Sequence, residues 1–161
     1  SGGRSANQDK EDRIEDQFRQ IRANLSAEIN QGLAEVERDG DSIIIRLAEQ
    51  GSFSSGLALL QASFMDLLDN VGASLAGASG LIQIEGHTDN VPMGFGSRYR
   101  DNWDLSSARS ASVADYLLEG GYVSPGNMVV MGLADTRPLQ SNASALGRAA
   151  NRRIEIIVKN N

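Results

Sequence analysis

The sequence predicts an α/β fold in which helices pack on one sheet. Short β-branched or alternating runs begin near residues 43, 81, 128 and 153, and segments with helical spacing lie between them. Strands that alternate with helices along a chain are typical of layered α/β proteins. At 161 residues with 40% hydrophobic content, the chain is long enough to bury the core of one domain and to carry an appendage.

The N-terminal part predicts a long amphipathic helix. Residues 1–8 are polar and are expected to be a disordered linker or the remnant of a tag. Over residues 9–40 the apolar residues recur every three or four positions, which predicts one linker helix with a single narrow stripe. Two interpretations remain open: a helix docked on the domain core, or a pairing or movable helix, because the stripe is close to heptad spacing. The stripe consists of Ile14, Phe18, Ile21, Leu25, Ile29, Leu33 and Val36.

Residues 41–161 are predicted to form the domain proper. A second helix is expected to begin at Ser54 or Ser55 and to end before Gly77, and a third is expected to contain Leu105 and to end at Gly120. A short Ala-rich turn or helix is expected shortly before the last strand. The predicted strands are residues 43–47, 81–85, 128–131 and 153–159.

Composition and charge exclude several classes of function. A formal net charge of −6 makes a general attraction to nucleic acid unfavourable, and without cysteine there are no disulfides or thiolate metal sites. His87 is the only histidine, and a hydrogen bond to a neighbour is its expected role, so no enzyme, metal or cofactor is predicted. No apolar run approaches the roughly 20 residues that span a bilayer, and if the compartment is the periplasm, the export signal is expected upstream.

Asp89 and Arg109 are the candidate binding residues. Asp89 follows a predicted strand and Arg109 lies near the start of the next predicted helix, and such ends converge at one edge of an α/β sheet. A carboxylate that accepts an ammonium and a guanidinium that clamps a carboxylate form a minimal receptor for a zwitterion. If Arg109 lies in the first helical turn, backbone N–H groups add to anion binding. The alternative is that the two residues simply pair with each other.

Four motifs, in this order, resemble the OmpA-like peptidoglycan-binding domain over about residues 42–159. They are Gly86-His87-Thr88-Asp89, Asn102-x-x-Leu105-Ser106-x-x-Arg109, Gly132-x-Ala134-Asp135-x-x-Pro138 and Asn151-Arg152-Arg153-x-Glu155. The resemblance implies a β/α sandwich with a mixed sheet that binds the diaminopimelate stem peptide of peptidoglycan without catalysis. It implies that Asp89 holds the ammonium of diaminopimelate and that Arg109 holds its carboxylate. By the same resemblance, the pocket is lined or supported by Thr88, Asn102, Leu105 and Arg153.

Within this family the chain most resembles the flagellar stator B subunits MotB and PomB, and its sequence most resembles that of PomB. The shared features are Asn90-Val91-Pro92 and a long loop through Gly96. The resemblance implies the periplasmic domain of an inner-membrane protein, a homodimer that anchors a stator to the wall. The implied partners are peptidoglycan, a stator A subunit held through a transmembrane region, and periplasmic flagellar ring proteins. The coupling ion stays open, as does the alternative of a wall anchor from an outer-membrane protein, lipoprotein or secretion system.

Overall fold

The computed structural model describes residues 5–160. The helices are α1 (Ala6–Asn24), α2 (Ser26–Asn30), α3 (Ala62–Leu75), α4 (Asn102–Glu119) and α5 (Ala145–Asn151), with a 3-10 turn at Pro125–Asn127. The strands are β1 (Ala34–Asp39), β2 (Ser42–Ala48), β3 (Leu81–His87), β4 (Met128–Gly132) and β5 (Arg153–Lys159).

The last strand of the chain occupies the middle of the sheet. The strand order is β1-β2-β5-β3-β4. β5 pairs antiparallel with β2 and with β3, and β1 pairs antiparallel with β2, whereas β3 and β4 are parallel. α4 provides the crossover that a parallel pair requires. The predicted α/β class, the mixed sheet and the presence of an N-terminal helix are therefore confirmed.

The hydrophobic core lies between one face of the sheet and helices α1, α3 and α4. The strands contribute Ile43, Ile45, Leu47, Ile82, Ile84, Ile154, Ile156 and Val158. The helices contribute Ile14, Ile21, Phe64, Leu68, Val71, Val113 and Leu117, and Leu25 contributes from the junction between α1 and α2. Within residues 5–160, no helix combines the length and the apolar character that crossing a bilayer needs.

The N-terminal helix is docked on this core. Ile21 and Leu25 are 1% and 0% exposed, and polar side chains add two links between helices. Asn24 Nδ2 donates to Ser74 Oγ of α3 over 3.1 Å, and Asn70 Nδ2 donates to a carboxylate oxygen of Glu28 in α2 over 2.8 Å. Of the two interpretations of the apolar stripe, the docked helix is the one that the structure contains.

The prediction of one helix through residue 40 is wrong in its last third. α1 ends at Asn24, α2 ends at Asn30, and Gly32 has a φ of +75°, which breaks the helical path. Residues 34–39 then pair with β2, so that Val36 lies opposite Ile45. The spacing of Leu33 and Val36 suited a helix, but Val36 also alternates with charged neighbours, and pairing with β2 decides in favour of the strand.

Two other predicted boundaries also change. Ala6 to Gln8 belong to α1, where Ser5 Oγ accepts a hydrogen bond from the Gln8 backbone N–H over 3.1 Å, and only residues 1–4 of the expected linker lie outside the described residues. The second predicted helix begins at Ala62, not at Ser54 or Ser55. The residues before it form a loop closed by an isolated bridge between Phe53 and Leu60.

Replacing Ile21 by alanine should lower the free energy of unfolding by about 2–5 kcal/mol, because the change leaves a cavity between α1 and the core. Urea unfolding followed by circular dichroism measures the change. Gln20→Ala, on the exposed side of the same helix, is the matched control and should change stability by less than about 0.5 kcal/mol. Equal effects of the two substitutions would show that α1 does not pack on the core in solution.

Candidate ligand-binding site

Asp89 and Arg109 come to the same end of the sheet from different elements. Asp89 lies two residues beyond β3, and Arg109 lies on α4, which packs against β3 and β4. Their exposed fractions are 7% and 5%. Arg109 is the eighth residue of α4 and not part of its first turn, so the expectation that N-terminal backbone N–H groups assist it is wrong. The guanidinium itself is therefore the group of Arg109 that could hold an anion.

A close approach of α4 to the sheet sets the position of Arg109. Gly86 of β3 and Gly132 of β4 are partners in the sheet, and both lie directly beneath α4. A Cβ on Gly86 would lie 2.2 Å from the Ser106 carbonyl oxygen, and a Cβ on Gly132 would lie 2.1 Å from Ser107 Oγ. Any larger residue at these two positions would collide with α4. The two glycines therefore allow the helix to lie this close to the sheet.

The loop after β3 holds the Asp89 carboxylate in place. Oδ1 accepts the backbone N–H of Val91 over 2.9 Å, and the Asn102 side chain donates to the Val91 carbonyl over 3.0 Å. Thr88 donates its hydroxyl to the Asp89 carbonyl over 2.8 Å and its backbone N–H to the Ala134 carbonyl over 2.9 Å. Thr88 and Asn102 therefore orient Asp89 through the backbone.

Arg109 is held on three sides. Its Nε donates to the Leu57 carbonyl over 2.8 Å, and its Nη1 donates to Glu49 Oε1 over 2.7 Å. Its guanidinium carbon lies 4.7 Å from the centre of the Phe53 ring, a cation–π distance. The remaining nitrogen, Nη2, is buried and has no hydrogen-bond partner among residues 5–160. The guanidinium is thus oriented and keeps donor capacity.

Asp89 and Arg109 are joined through a second ion pair and not to each other. Asp89 Oδ2 accepts Arg152 Nη1 over 2.7 Å, Arg152 Nε donates to Glu49 Oε2 over 2.5 Å, and Glu49 Oε1 accepts Arg109 over 2.7 Å. The alternative of a direct pair is therefore wrong. Burial opposes the charge on Arg152, but its hydrogen bonds to Asp89 and Glu49 outweigh that effect and raise the pKa of its guanidinium. We name these four residues the charge chain.

Sequence reasoning missed Glu49 and Arg152. Arg152 lies within the Asn151-Arg152-Arg153 motif, but the resemblance assigns the supporting position to its neighbour Arg153. Glu49 follows β2, 40 positions before Asp89, and nothing in the local pattern marks it. Only the pairing of β2 with β5 brings Glu49 beside Arg152, whose carbonyl accepts the Glu49 backbone N–H over 3.2 Å.

The other two predicted site residues, Leu105 and Arg153, are buried. Leu105 is 5% exposed. Arg153 turns away from Asp89 and donates to Glu155 over 2.5 Å and to the carbonyls of Asn151 and Arg137 over 3.0 and 2.9 Å. Burial lowers the pKa of its guanidinium. Arg153 and Arg109 line one small cavity, so Arg153 borders the site.

A second polar cluster lies on the other side of the sheet. His87 Nε2 lies 3.0 Å from Glu85 Oε1, in agreement with the expected hydrogen bond to a neighbour. Ligand atoms of Glu85, His87 and Glu155 lie within 4.8 Å of one another, a spacing that suits a cation. Glu85 also accepts from Gln83, and Glu155 accepts from Arg153, so both carboxylates already have donors.

Acid should destabilise the protein partly through Glu85. The hydrogen bond from His87 lowers the pKa of Glu85, burial opposes this shift, and the hydrogen bond from Gln83 lowers it further. A carboxyl whose pKa is lower in the folded state stabilises folding above the unfolded pKa, roughly 4.3, and this stabilisation is lost as the pH falls through the folded value. Glu85→Gln should therefore flatten the decline of stability below about pH 5.

Urea unfolding between about pH 3 and pH 6 measures this slope. Glu119→Gln, an exposed position at the end of α4, is the control and should leave the slope close to that of the wild type. Parallel curves for Glu85→Gln and the wild type would show that His87 does not stabilise the Glu85 carboxylate.

The chain is similar to motility and wall-anchoring proteins. Motility protein B of Escherichia coli K12 is 32% identical over 117 residues, which are 73% of this chain and 37% of that protein. The cell wall anchor of the T6SS from Pseudomonas aeruginosa is 34% identical with a TM-score of 0.79, covering 86% of this chain and 96% of that chain. A putative MotB-like protein from Desulfovibrio vulgaris is 27% identical with a TM-score of 0.83, covering 93% and 98%.

The match extends over most of the chain but over less of its relatives. The chain spans 50%, 48% and 37% of the length of three curated relatives, the last two of which are named Motility protein B. The OmpA family matches residues 52–152. This range includes Asp89, Arg109 and Arg152 and begins after Glu49. With its mixed sheet, its ordered motifs and this match, the chain belongs to the OmpA family.

Proposed function

We propose that this chain is a peptidoglycan-binding anchor, and specifically the periplasmic wall-binding part of a flagellar stator B subunit. The observation that carries the proposal is the pair Asp89 and Arg109, a buried carboxylate and a buried guanidinium at one end of the sheet. Each is oriented by hydrogen bonds, and each has a partner other than the opposite member of the pair. Such a pair suits a zwitterionic ligand.

The ligand class follows from the two charges. Diaminopimelate in the peptidoglycan stem carries an ammonium and a carboxylate on one carbon at its far end. Asp89 accepts the ammonium, while Arg109 donates to the carboxylate with Nη2, which has no partner among the described residues. A hydrogen bond to a charged group contributes about 1.5–3 kcal/mol, so one domain holds the wall weakly and reversibly. Two domains in a homodimer would bind far more tightly by avidity.

The protein is not an enzyme, as the sequence predicted. Its family consists of structural anchors, and its relatives include motility proteins. Binding without catalysis leaves the peptidoglycan intact while the anchored complex exerts force on it. Such binding suits a domain that anchors a complex against torque.

The stator assignment is supported by the kind of relatives that the chain has. Motility protein B of Bacillus subtilis is 28% identical over 125 residues, which are 48% of that protein. The remainder of such a protein would supply the membrane segment, the contact with a stator A subunit and the link to flagellar ring proteins. An inner-membrane protein with this domain in the periplasm is the arrangement we propose.

Substitutions of Asp89 and Arg109 test the grip. Asp89→Asn and Arg109→Gln should each weaken binding of the purified domain to sacculi roughly ten- to a hundredfold, because each removes one charged partner of the ligand. Co-sedimentation with isolated sacculi measures this. Asp115→Asn and Arg13→Gln change the same charges at exposed positions and should bind like the wild type. Unchanged binding of both site variants would contradict the proposal.

The same substitutions in the full-length protein distinguish a stator from a secretion-system anchor. Cells that carry Asp89→Asn should lose swimming in soft agar while flagellar filaments are still assembled, because an unanchored stator cannot transmit torque. Asp115→Asn should swim normally. Normal swimming of the Asp89 variant together with a loss of protein secretion would overturn the stator assignment and favour the function named for the Pseudomonas aeruginosa structure.

A further inference from the structure

Glu49 and Arg152 connect Asp89 to Arg109, the two residues that we propose bind the ligand. Arg152 contacts Asp89 over 2.7 Å, and Glu49 contacts Arg109 over 2.7 Å. The side chains of Asp89 and Arg109 are 10% and 6% exposed, whereas those of Arg152 and Glu49 are 34% and 23% exposed. The inner pair of the charge chain is therefore the part nearer to solvent, where a ligand would approach.

The inner pair presents the charges of a zwitterion. The signs along the charge chain alternate, so that Asp89 meets the cation of Arg152 and Arg109 meets the anion of Glu49. A ligand ammonium on Asp89 would replace one cation, Arg152, by another. A ligand carboxylate on Arg109 would replace one anion, Glu49, by another. Because a buried charge without a partner is strongly destabilising, each of the two buried residues needs some such partner.

We propose that the Glu49–Arg152 pair is a built-in competitor of the ligand and sets the affinity of the site. This inference rests on the proposed function, since it concerns the same site. The ligand binds by exchange: its ammonium takes the place of Arg152 on Asp89, and its carboxylate accepts from Arg109 Nη2 and takes the place of Glu49 on Nη1. Glu49 and Arg152 then keep each other as partners, since their side chains already lie 2.5 Å apart.

The backbone supports such an exchange. The Glu49 N–H donates to the Arg152 carbonyl over 3.2 Å, so the two residues stay adjacent when their side chains move. Arg152 caps α5 immediately before β5, and Glu49 comes directly after β2. Both long side chains lie at element ends, where they can rotate without disturbing the sheet. Glu49 also lies outside residues 52–152, the part that matches the family.

The opposite role predicts the opposite result. If Glu49 and Arg152 bound the ligand themselves, removing them would weaken binding. If they compete with it, removing them frees Asp89 and Arg109 and strengthens binding. The double variant Glu49→Gln/Arg152→Gln is the most direct test, because it deletes one charge of each sign and leaves the net charge unchanged.

Isothermal titration of the purified domain with a soluble muropeptide that contains meso-diaminopimelate measures the effect. The double variant should bind about two- to fivefold more tightly, because a partly exposed ion pair contributes up to about 1 kcal/mol. Glu49→Asp, whose shorter side chain reaches Arg109 less well, should bind more tightly by a smaller factor and serves as a second variant with little risk to folding. Glu11→Gln/Arg38→Gln removes a pair of 2.7 Å between α1 and β1 and should not change binding.

The outcomes separate this inference from the function on which it rests. The competitor is overturned if Glu49→Gln/Arg152→Gln and Glu49→Asp both unfold at the wild-type temperature and both bind the muropeptide as tightly as the wild type or more weakly. If Asp89→Asn loses binding in the same experiment, the proposed anchor function is retained. No binding by the wild type and by the double variant overturns the anchor and the competitor together. Binding by the double variant alone supports both.

Discussion

Two buried charges at one end of the sheet have to be neutralised, and the site is organised around that requirement. Asp89 and Arg109 lie too far from water to be left without partners, and the charge chain supplies one partner for each. The four residues come from the ends of β2 and β3, from α4 and from the junction of α5 with β5. Neutralising the charges therefore links four separate elements at the place where we propose that the ligand binds.

The sheet topology makes this convergence possible. Because β5 lies between β2 and β3, the end of β2 and the start of β5 are neighbours, and the end of β3 lies on the other side of β5. α4 crosses from β3 to β4 and is held close to them over Gly86 and Gly132, which brings Arg109 to the same end. On the opposite face of the sheet, Arg46 and Glu155 form another ion pair.

The parts predicted correctly are those in which local pattern and tertiary structure agree. α4 and the strands around Ile45, Ile84 and Ile156 have spacings that suit only one kind of element, and all were predicted. The N-terminal prediction failed after Asn30, where a helical spacing and a strand alternation overlap and pairing with β2 decides. The start of α3 was missed because a polar cap is a weak signal beside the contacts of the loop that precedes it.

The sequence alone determined the fold class, the family and the two charged residues that we propose as the ligand-binding pair, because these depend on residue types and short spacings. It could not determine which charges pair. Asp89 meets Arg152 across 63 positions, Arg109 meets Glu49 across 60, and Glu49 meets Arg152 across 103. Local spacing carries no information about contacts of that range. Only the tertiary structure decided them, because burial strengthens each ion pair and the order of the strands sets which partners are within reach.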